Sequence, residues 1–138
     1  MNATELAEAL ALQPLAGEGG LWAQIHRDAS SNSIYFMMIA PDFSAWHRIK
    51  EPELWVHLAG GALELFTIEN GALQRHVLDG GSGAFTYRVP AATWMAARPL
   101  SDWTLALCAL TPAFSGMELA DRFELLAQFP DIPQLFHS

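Results

Sequence analysis

Cysteine is almost missing from this chain. Cys108 stands alone among 138 residues, so no intrachain disulfide can form. It lies in the apolar run Thr104-Leu105-Ala106-Leu107-Cys108-Ala109-Leu110, which predicts a buried structural thiol rather than a catalytic one. Lysine is as scarce: Lys50 stands beside six arginines, and seven basic against fifteen acidic side chains leave a formal charge of -8. A field of that sign repels phosphate backbones and anionic membrane surfaces, which weighs against nucleic acid and membrane partners. Arginine can still fork onto a carboxylate or phosphate, so an anionic small molecule in a locally basic pocket stays open. Charged residues make up 16% and apolar ones 51%, which argues against wholesale disorder. The length suits one domain with a core that needs neither disulfides nor a structural metal. No apolar run approaches a bilayer span and no leader pattern opens the chain, so a cytoplasmic location is the expectation from absent signals.

What is present is a succession of short strands between turns. Thr4 to Leu12 carries a helical pattern with Thr4 as cap, stopped by Pro14. Gly17-Glu18-Gly19-Gly20 is a turn-rich break. Strands are predicted at Leu21 to His26, Ile34 to Ala40, Ala62 to Glu69, Gln74 to Leu78, Ala84 to Val89, Trp94 to Arg98 and Asp102 to Leu110. Asn70-Gly71 is a tight-hairpin signal. Glu118 to Phe129 reads as a second helix with Leu119, Phe123 and Leu126 on its apolar side, and Asp131-Ile132-Pro133 as a last helical turn. Strands throughout and helices at the ends predict an all-β sandwich or barrel.

The segment Trp46-His47-Arg48-Ile49-Lys50-Glu51-Pro52-Glu53-Leu54-Trp55-Val56-His57-Leu58-Ala59-Gly60 carries the chemistry. On adjacent antiparallel strands, His47 and Glu53 can point into one cavity while Gly60 makes the following turn. That spacing resembles the first motif of the cupins, β-barrels that often hold a metal or a small ligand. Further short matches in order follow: Glu18-Gly19-Gly20, Ser33-Ile34-Tyr35-Phe36, Phe43-Ser44-Ala45-Trp46-His47-Arg48, Leu63-Glu64-Leu65, Val89-Pro90-Ala91, Trp94-Met95-Ala96-Ala97-Arg98-Pro99-Leu100 and Ala120-Asp121-Arg122. Over about residues 12 to 129 the chain resembles small cupin family 5, whose members are mostly of unassigned function. The resemblance implies a double-stranded β-helix, a jelly-roll barrel, assembled as a homodimer. The single cupin domain would take residues 1–138, with a core of about 18–112 and helical ends at 4–12 and 118–129.

Against the cupin pattern, the first ligand matches His47 and the carboxylate matches Glu53. The two other ligand positions fall on Ile49 and Met95, and a thioether suits copper(I) better than iron, manganese or zinc. No cofactor is therefore favoured. A divalent transition metal would have to use the incomplete set His47, Glu53 and His57. His57 shares a strand face with Glu53 and Trp55 at i+2 spacing, which makes His47, His57 and Glu53 the catalytic candidates. Ligand-binding candidates are Trp55 and Trp94 for stacking, Ile49, Met95 and Tyr35 as lining, and Arg98 as an anion anchor, with a salt bridge to Glu53 or Glu64 as its alternative. Trp46 faces away from His47 and reads as packing or interface. Histidine–tyrosine pairs act as base and acid in sugar-nucleotide 3,5-epimerases of this fold, but neither Tyr35 nor Tyr87 is placed by sequence near His47 or His57. His26, His76 and His137 read as solvated. Glu18 with its glycines reads either as a flap at the cavity mouth or as a plain turn. Two functions remain open: a cavity that binds a carbohydrate-like or other small polar metabolite, and a metal-independent sugar isomerase or epimerase with a cavity histidine as base.

Overall fold

The structure is a computed structural model that describes residues 1–137. Helix α1 (Ala3–Ala9) begins at Asn2, whose side chain accepts from the Glu5 amide while the Glu5 carboxylate accepts from the Asn2 amide, so a capping box two residues earlier replaces the Thr4 cap. Among the described residues eleven strands follow: β1 (Gln13–Pro14), β2 (Leu21–Arg27), β3 (Asn32–Ile39), β4 (Ser44–Ile49), β5 (Glu53–Gly60), β6 (Leu63–Glu69), β7 (Ala72–Leu78), β8 (Thr86–Val89), β9 (Met95–Pro99), β10 (Trp103–Leu110) and β11 (Met117–Leu119), with helix α2 (Arg122–Gln128) behind them. They form two antiparallel sheets, ordered β1-β2-β3-β10-β5-β8 and β11-β4-β9-β6-β7. This is the expected jelly-roll barrel.

The continuous apolar runs of β3 and β10 arise because the first sheet is covered on both sides. Ile34, Phe36 and Met38 pack with Ala106, Cys108 and Leu110 in the barrel, while Met37 and Leu105 face outward to Leu6, Leu10 and Leu12 at α1. The second sheet alternates more clearly. Leu63 and Leu65 enter the barrel, whereas Phe66 packs outside against Trp46, Leu125 and Ile132. Asn70 and Gly71 both take positive φ, as a two-residue hairpin between β6 and β7 requires.

The C-terminal expectation needs correcting. Residues 117–119 pair with β4 as strand β11, and the helix starts at Arg122 with Asp121 as its cap. Met117, Glu118 and Leu119 find ladder partners in Ile49, Arg48 and His47, and this pairing overrides the helical pattern of their side chains. Phe123 is exposed and Leu125 is the buried residue of α2. Residues 131–133 form no helical turn.

Candidate functional site

The barrel encloses a cavity of about 190 Å³ between the two sheets. Trp22 and Gln24 of β2, Ile34 and Phe36 of β3, His47 and Ile49 of β4, Glu53 and Trp55 of β5, and Cys108 and Leu110 of β10 project into it, by the alternation of each strand. Leu15, Phe114 and Met117 add apolar wall. Phe36 and Trp55 meet edge to face at 5.8 Å, an arrangement that fixes both rings. Arg27 and Asn32 hold the Phe114 segment over the barrel: the Arg27 guanidinium donates to the Phe114 carbonyl at 2.9 Å, and the Phe114 amide donates to Asn32 Oδ1 at 2.6 Å. Gln24 and Arg27 are exposed and mark the solvent end.

The buried end is polar and acidic. Glu18, His47 and Glu53 line it, each more than nine-tenths buried. Glu18 reaches the cavity from the turn before β2. Its backbone carbonyl accepts from the Ala45 amide, and Ser44 donates its hydroxyl to Glu18 Oε2 at 2.7 Å. The turn depends on Gly19 and Gly20, both at positive φ. A Cβ on Gly20 would sit 2.5 Å from the Phe36 ring, and one on Gly19 2.3 Å from the Phe43 carbonyl oxygen. His47 Nδ1 lies 2.7 Å from the Ala45 carbonyl oxygen. A carbonyl can only accept, so Nδ1 carries the proton and Nε2 is turned toward Glu18 Oε1, 3.7 Å away. Glu53 accepts from the Trp55 indole N–H at 2.9 Å. Burial, reinforced by the Glu18 charge and only partly offset by the Trp55 bond, pushes the Glu53 carboxyl up to about 8. Burial and the same two carboxylates hold the Cys108 thiol well above its usual range, so it lines the cavity as a protonated wall group.

The structure thus brings His47, Glu53, Trp55 and Ile49 together, and adds Glu18, whose turn gave no clear sequence signal of direction. The other candidates lie elsewhere. His57 is buried on the same strand face as Glu53 and Trp55, but a strand face runs the length of the barrel. Its Nδ1 accepts from the Gly80 amide at 3.0 Å and its Nε2 donates to the Gly61 carbonyl at 2.9 Å. Both nitrogens are spent on backbone, which makes His57 a brace rather than a base. Met95 is buried in the barrel core, paired across the ladder with His47, but does not line the cavity. Trp94 packs outside the second sheet beneath the Arg48 guanidinium, 4.4 Å from its ring centre. Arg98 is also outside, donating to Glu64 Oε1 at 2.6 Å, with Arg75 on the other Glu64 oxygen. The salt bridge to Glu64 is therefore the reading that applies to Arg98. Tyr35 packs toward α1 on the outer face of the first sheet.

The histidine–tyrosine contact among the described residues is a different one. Tyr87 stacks on His76 at 3.5 Å and donates its hydroxyl to Glu69 at 2.5 Å, while Thr67 bridges Glu69 and His76. His76 is accordingly shielded rather than solvated, and burial lowers its affinity for a proton despite the Glu69 charge. His137 is exposed, as expected, with its ring stacked on Phe43 at 4.0 Å. His26 is exposed, 3.0 Å from Asp28.

The family model of the Cupin superfamily (DUF985) matches residues 4–120. The chain belongs to this cupin family. No curated protein matches it. Among solved structures, this cupin is similar to a protein of Shewanella oneidensis at 25% identity and a TM-score of 0.89, over 99% of this chain and 98% of that one. A hypothetical protein from Leishmania major matches at 20% identity and a TM-score of 0.85, over 94% and 93%. The oxalate decarboxylase of Lactobacillus farciminis, in a formate complex, shares the fold at 14% identity and a TM-score of 0.65, over 86% of this chain and 39% of the enzyme.

Cupins often hold a metal, so the donor set of this one bears on its chemistry. Ile49 offers hydrocarbon where a ligand would stand, Met95 does not reach the cavity, and His57 is tied to backbone. Among the described residues no group of three or more His, Cys, Asp or Glu side chains is arranged to hold an ion. These residues do not fit a metal centre. Nor is any helix among the described residues long and apolar enough to cross a membrane.

Proposed function

We propose that this cupin binds a small polar metabolite, carbohydrate-like in its mixture of apolar ring and polar groups, inside the barrel and without a tightly held metal. The observation that carries the reading is the cavity between the sheets, open at one end, with Trp22, Phe36 and Trp55 as walls and Glu18, His47 and Glu53 converging at the other. A thermal-shift screen of sugars, uronates, sugar nucleotides and other small metabolites tests it. At least one compound is expected to raise the melting temperature of the wild type and not that of Trp55→Ala. Elemental analysis of tag-free protein before any chelator should find well under one equivalent of transition metal per chain. A near-stoichiometric metal, or a screen in which every hit acts equally on Trp55→Ala, overturns this reading.

A second reading is a metal-independent isomerase or epimerase. It is favoured by one observation: His47 Nε2 faces the cavity with its other nitrogen anchored, beside a Glu53 carboxyl that keeps its proton near neutrality. For a substrate with an acidic C–H beside a carbonyl, His47 would take the carbon-bound proton as Glu53 gives its own to the carbonyl oxygen, and both transfers reverse on the product side. Solvent deuterium entering a bound sugar, and its loss in His47→Ala, would move the assignment to catalysis.

The partner proposed for the chain is a second copy. Ile25, Leu54 and Leu58 are exposed apolar side chains on the first sheet. Exposed apolar side chains on one sheet are better covered than left to water, and a second copy would cover them. Light scattering on a sizing column is expected to give twice the chain mass, and Leu54→Glu with Leu58→Glu to give the single-chain mass; a wild-type monomer would refute it.

A further inference from the structure

The polar end of the cavity has spent its donors, save the proton that Glu53 retains near neutrality. The Ser44 hydroxyl goes to Glu18 Oε2, the Trp55 indole N–H to Glu53 Oε1, and the His47 Nδ1–H to the Ala45 carbonyl. The groups left facing the cavity are Glu18 Oε1, the second oxygen of Glu53 and His47 Nε2, none of which forms a hydrogen bond of its own within the protein among the described residues. The Cys108 thiol beside them is a weak donor at best. The one cationic side chain of the cavity, Arg27, is at the solvent end and is tied to the Phe114 carbonyl. The Glu18 carboxylate, the Glu53 carboxyl and an imidazole lone pair therefore converge where no fixed positive charge answers them, and a buried charge without a partner is costly.

We propose that this cavity recognises a small organic cation, a protonated primary amine whose three N–H donors meet Glu18, Glu53 and His47 while its body lies against Trp22 and Trp55. The inference rests on the reading of the cavity as a small-molecule site and specifies the charge of what enters it. An ammonium group has three donors and no acceptor, which matches an end whose one unspent donor is the Glu53 proton, released when a cation arrives. Aromatic faces add a cation–π attraction that strengthens as water is excluded. A carboxylate ligand would instead be pressed against the Glu18 carboxylate. The proton that Glu53 retains near neutrality leaves to solvent as the ammonium takes its place. Two sources supply this head group, an amino sugar and an arylalkylamine, and the body of the ligand tells them apart.

The test is calorimetric titration of the full chain at pH 7.5 with two matched sets: glucosamine, glucose and glucuronate; phenethylamine, 2-phenylethanol and phenylacetate. In at least one set the amine is expected to bind tenfold or more tightly than its neutral and acidic analogues. Glu18→Gln removes one charge but keeps an acceptor, and should weaken that amine tenfold or more. Circular dichroism of the variant is expected to show an intact fold. A neutral or acidic member that binds as well as the amine overturns the charge assignment while leaving the cavity-binding reading in place. Amine binding that Glu18→Gln does not change overturns it as well, because the amine then sits elsewhere. If no member of either set binds, the cation assignment falls, and the metabolite screen on Trp55→Ala decides the broader reading by itself.

Discussion

Replacing Glu53 by glutamine is expected to stabilise the protein at pH 8 and to flatten its stability across the range from pH 5 to 8. The folded state holds the Glu53 carboxyl at about 8 against a usual value of 4.5, because burial and the Glu18 charge both oppose ionisation. The folded chain therefore keeps a proton that the unfolded chain has released. The benefit is fully present below pH 4.5 and is lost progressively as pH rises toward 8. At ~1.4 kcal/mol per unit, the swing is of the order of 4 kcal/mol. His76 acts in the opposite sense within part of the same window: burial lowers its folded value below 6.5, so its contribution grows as pH rises toward 6.5. Glu64 and Glu69, both lowered in the fold, contribute stability that disappears only in acid, below the usual carboxylate value. The difference between wild type and Glu53→Gln isolates the Glu53 part, since glutamine keeps an oxygen for the Trp55 N–H. Urea denaturation at pH 5, 6.5 and 8 reads it directly. Parallel stability curves for the two proteins would mean that Glu53 ionises freely in the fold.

Trp55→Ala should be the most damaging single truncation at the site, costing roughly 3–5 kcal/mol. The ring is 1% exposed and packs edge to face on Phe36. Its loss would open the cavity and strip Glu53 of its hydrogen-bond donor. Trp55→Phe separates the two effects: it retains most of the apolar contact and removes the N–H. That variant should lose about 1–2 kcal/mol and push Glu53 further toward its protonated form, steepening the decline of stability with pH. Chemical denaturation of both variants, at pH 5 and at pH 8, checks the magnitude and the coupling together. A Trp55→Ala variant within 1 kcal/mol of wild type, on the scale expected for surface positions, would show that the ring is not a structural wall of the cavity.

The barrel was readable because strand periodicity, turn residues and family motifs agree along most of the chain. The spacing of His47 and Glu53 places both in one cavity, and Ile49 and Trp55 follow by alternation on the same strands. Alternation tells which face a side chain takes, but not how far along the barrel the cavity extends. His57 shows the difference: it is on the expected face of β5, yet it meets the turn at Gly80 instead of the cavity. Met95 fails for the same reason. Trp94 and Arg98 are decided by which side of β9 the barrel interior lies on, and packing against Arg48, Phe66 and Glu64 holds them outside. Glu18 stands between two readings, a flap at the cavity mouth and a plain turn, for another reason, and the structure places it at the buried end. Turn residues have no periodicity, and a carboxylate between glycines looks the same whether it faces solvent or the interior. Strand β11 was obscured because Met117-Glu118-Leu119 fits a helical pattern locally, and only its ladder with β4 distinguishes the alternatives.

The origin of Glu18 in a turn, while His47 and Glu53 come from ladder strands, separates the part of the site that can vary from the part that must stay. Strand residues are locked into register on both sides, so altering them disturbs the scaffold. Six residues from Leu15 to Gly20, closed on themselves by the paired amides and carbonyls of Leu15, Gly19 and Gly20, form a cassette against the barrel. Relatives could exchange that cassette and present a different side chain at the same spot, acquiring new selectivity while inheriting an unchanged vessel.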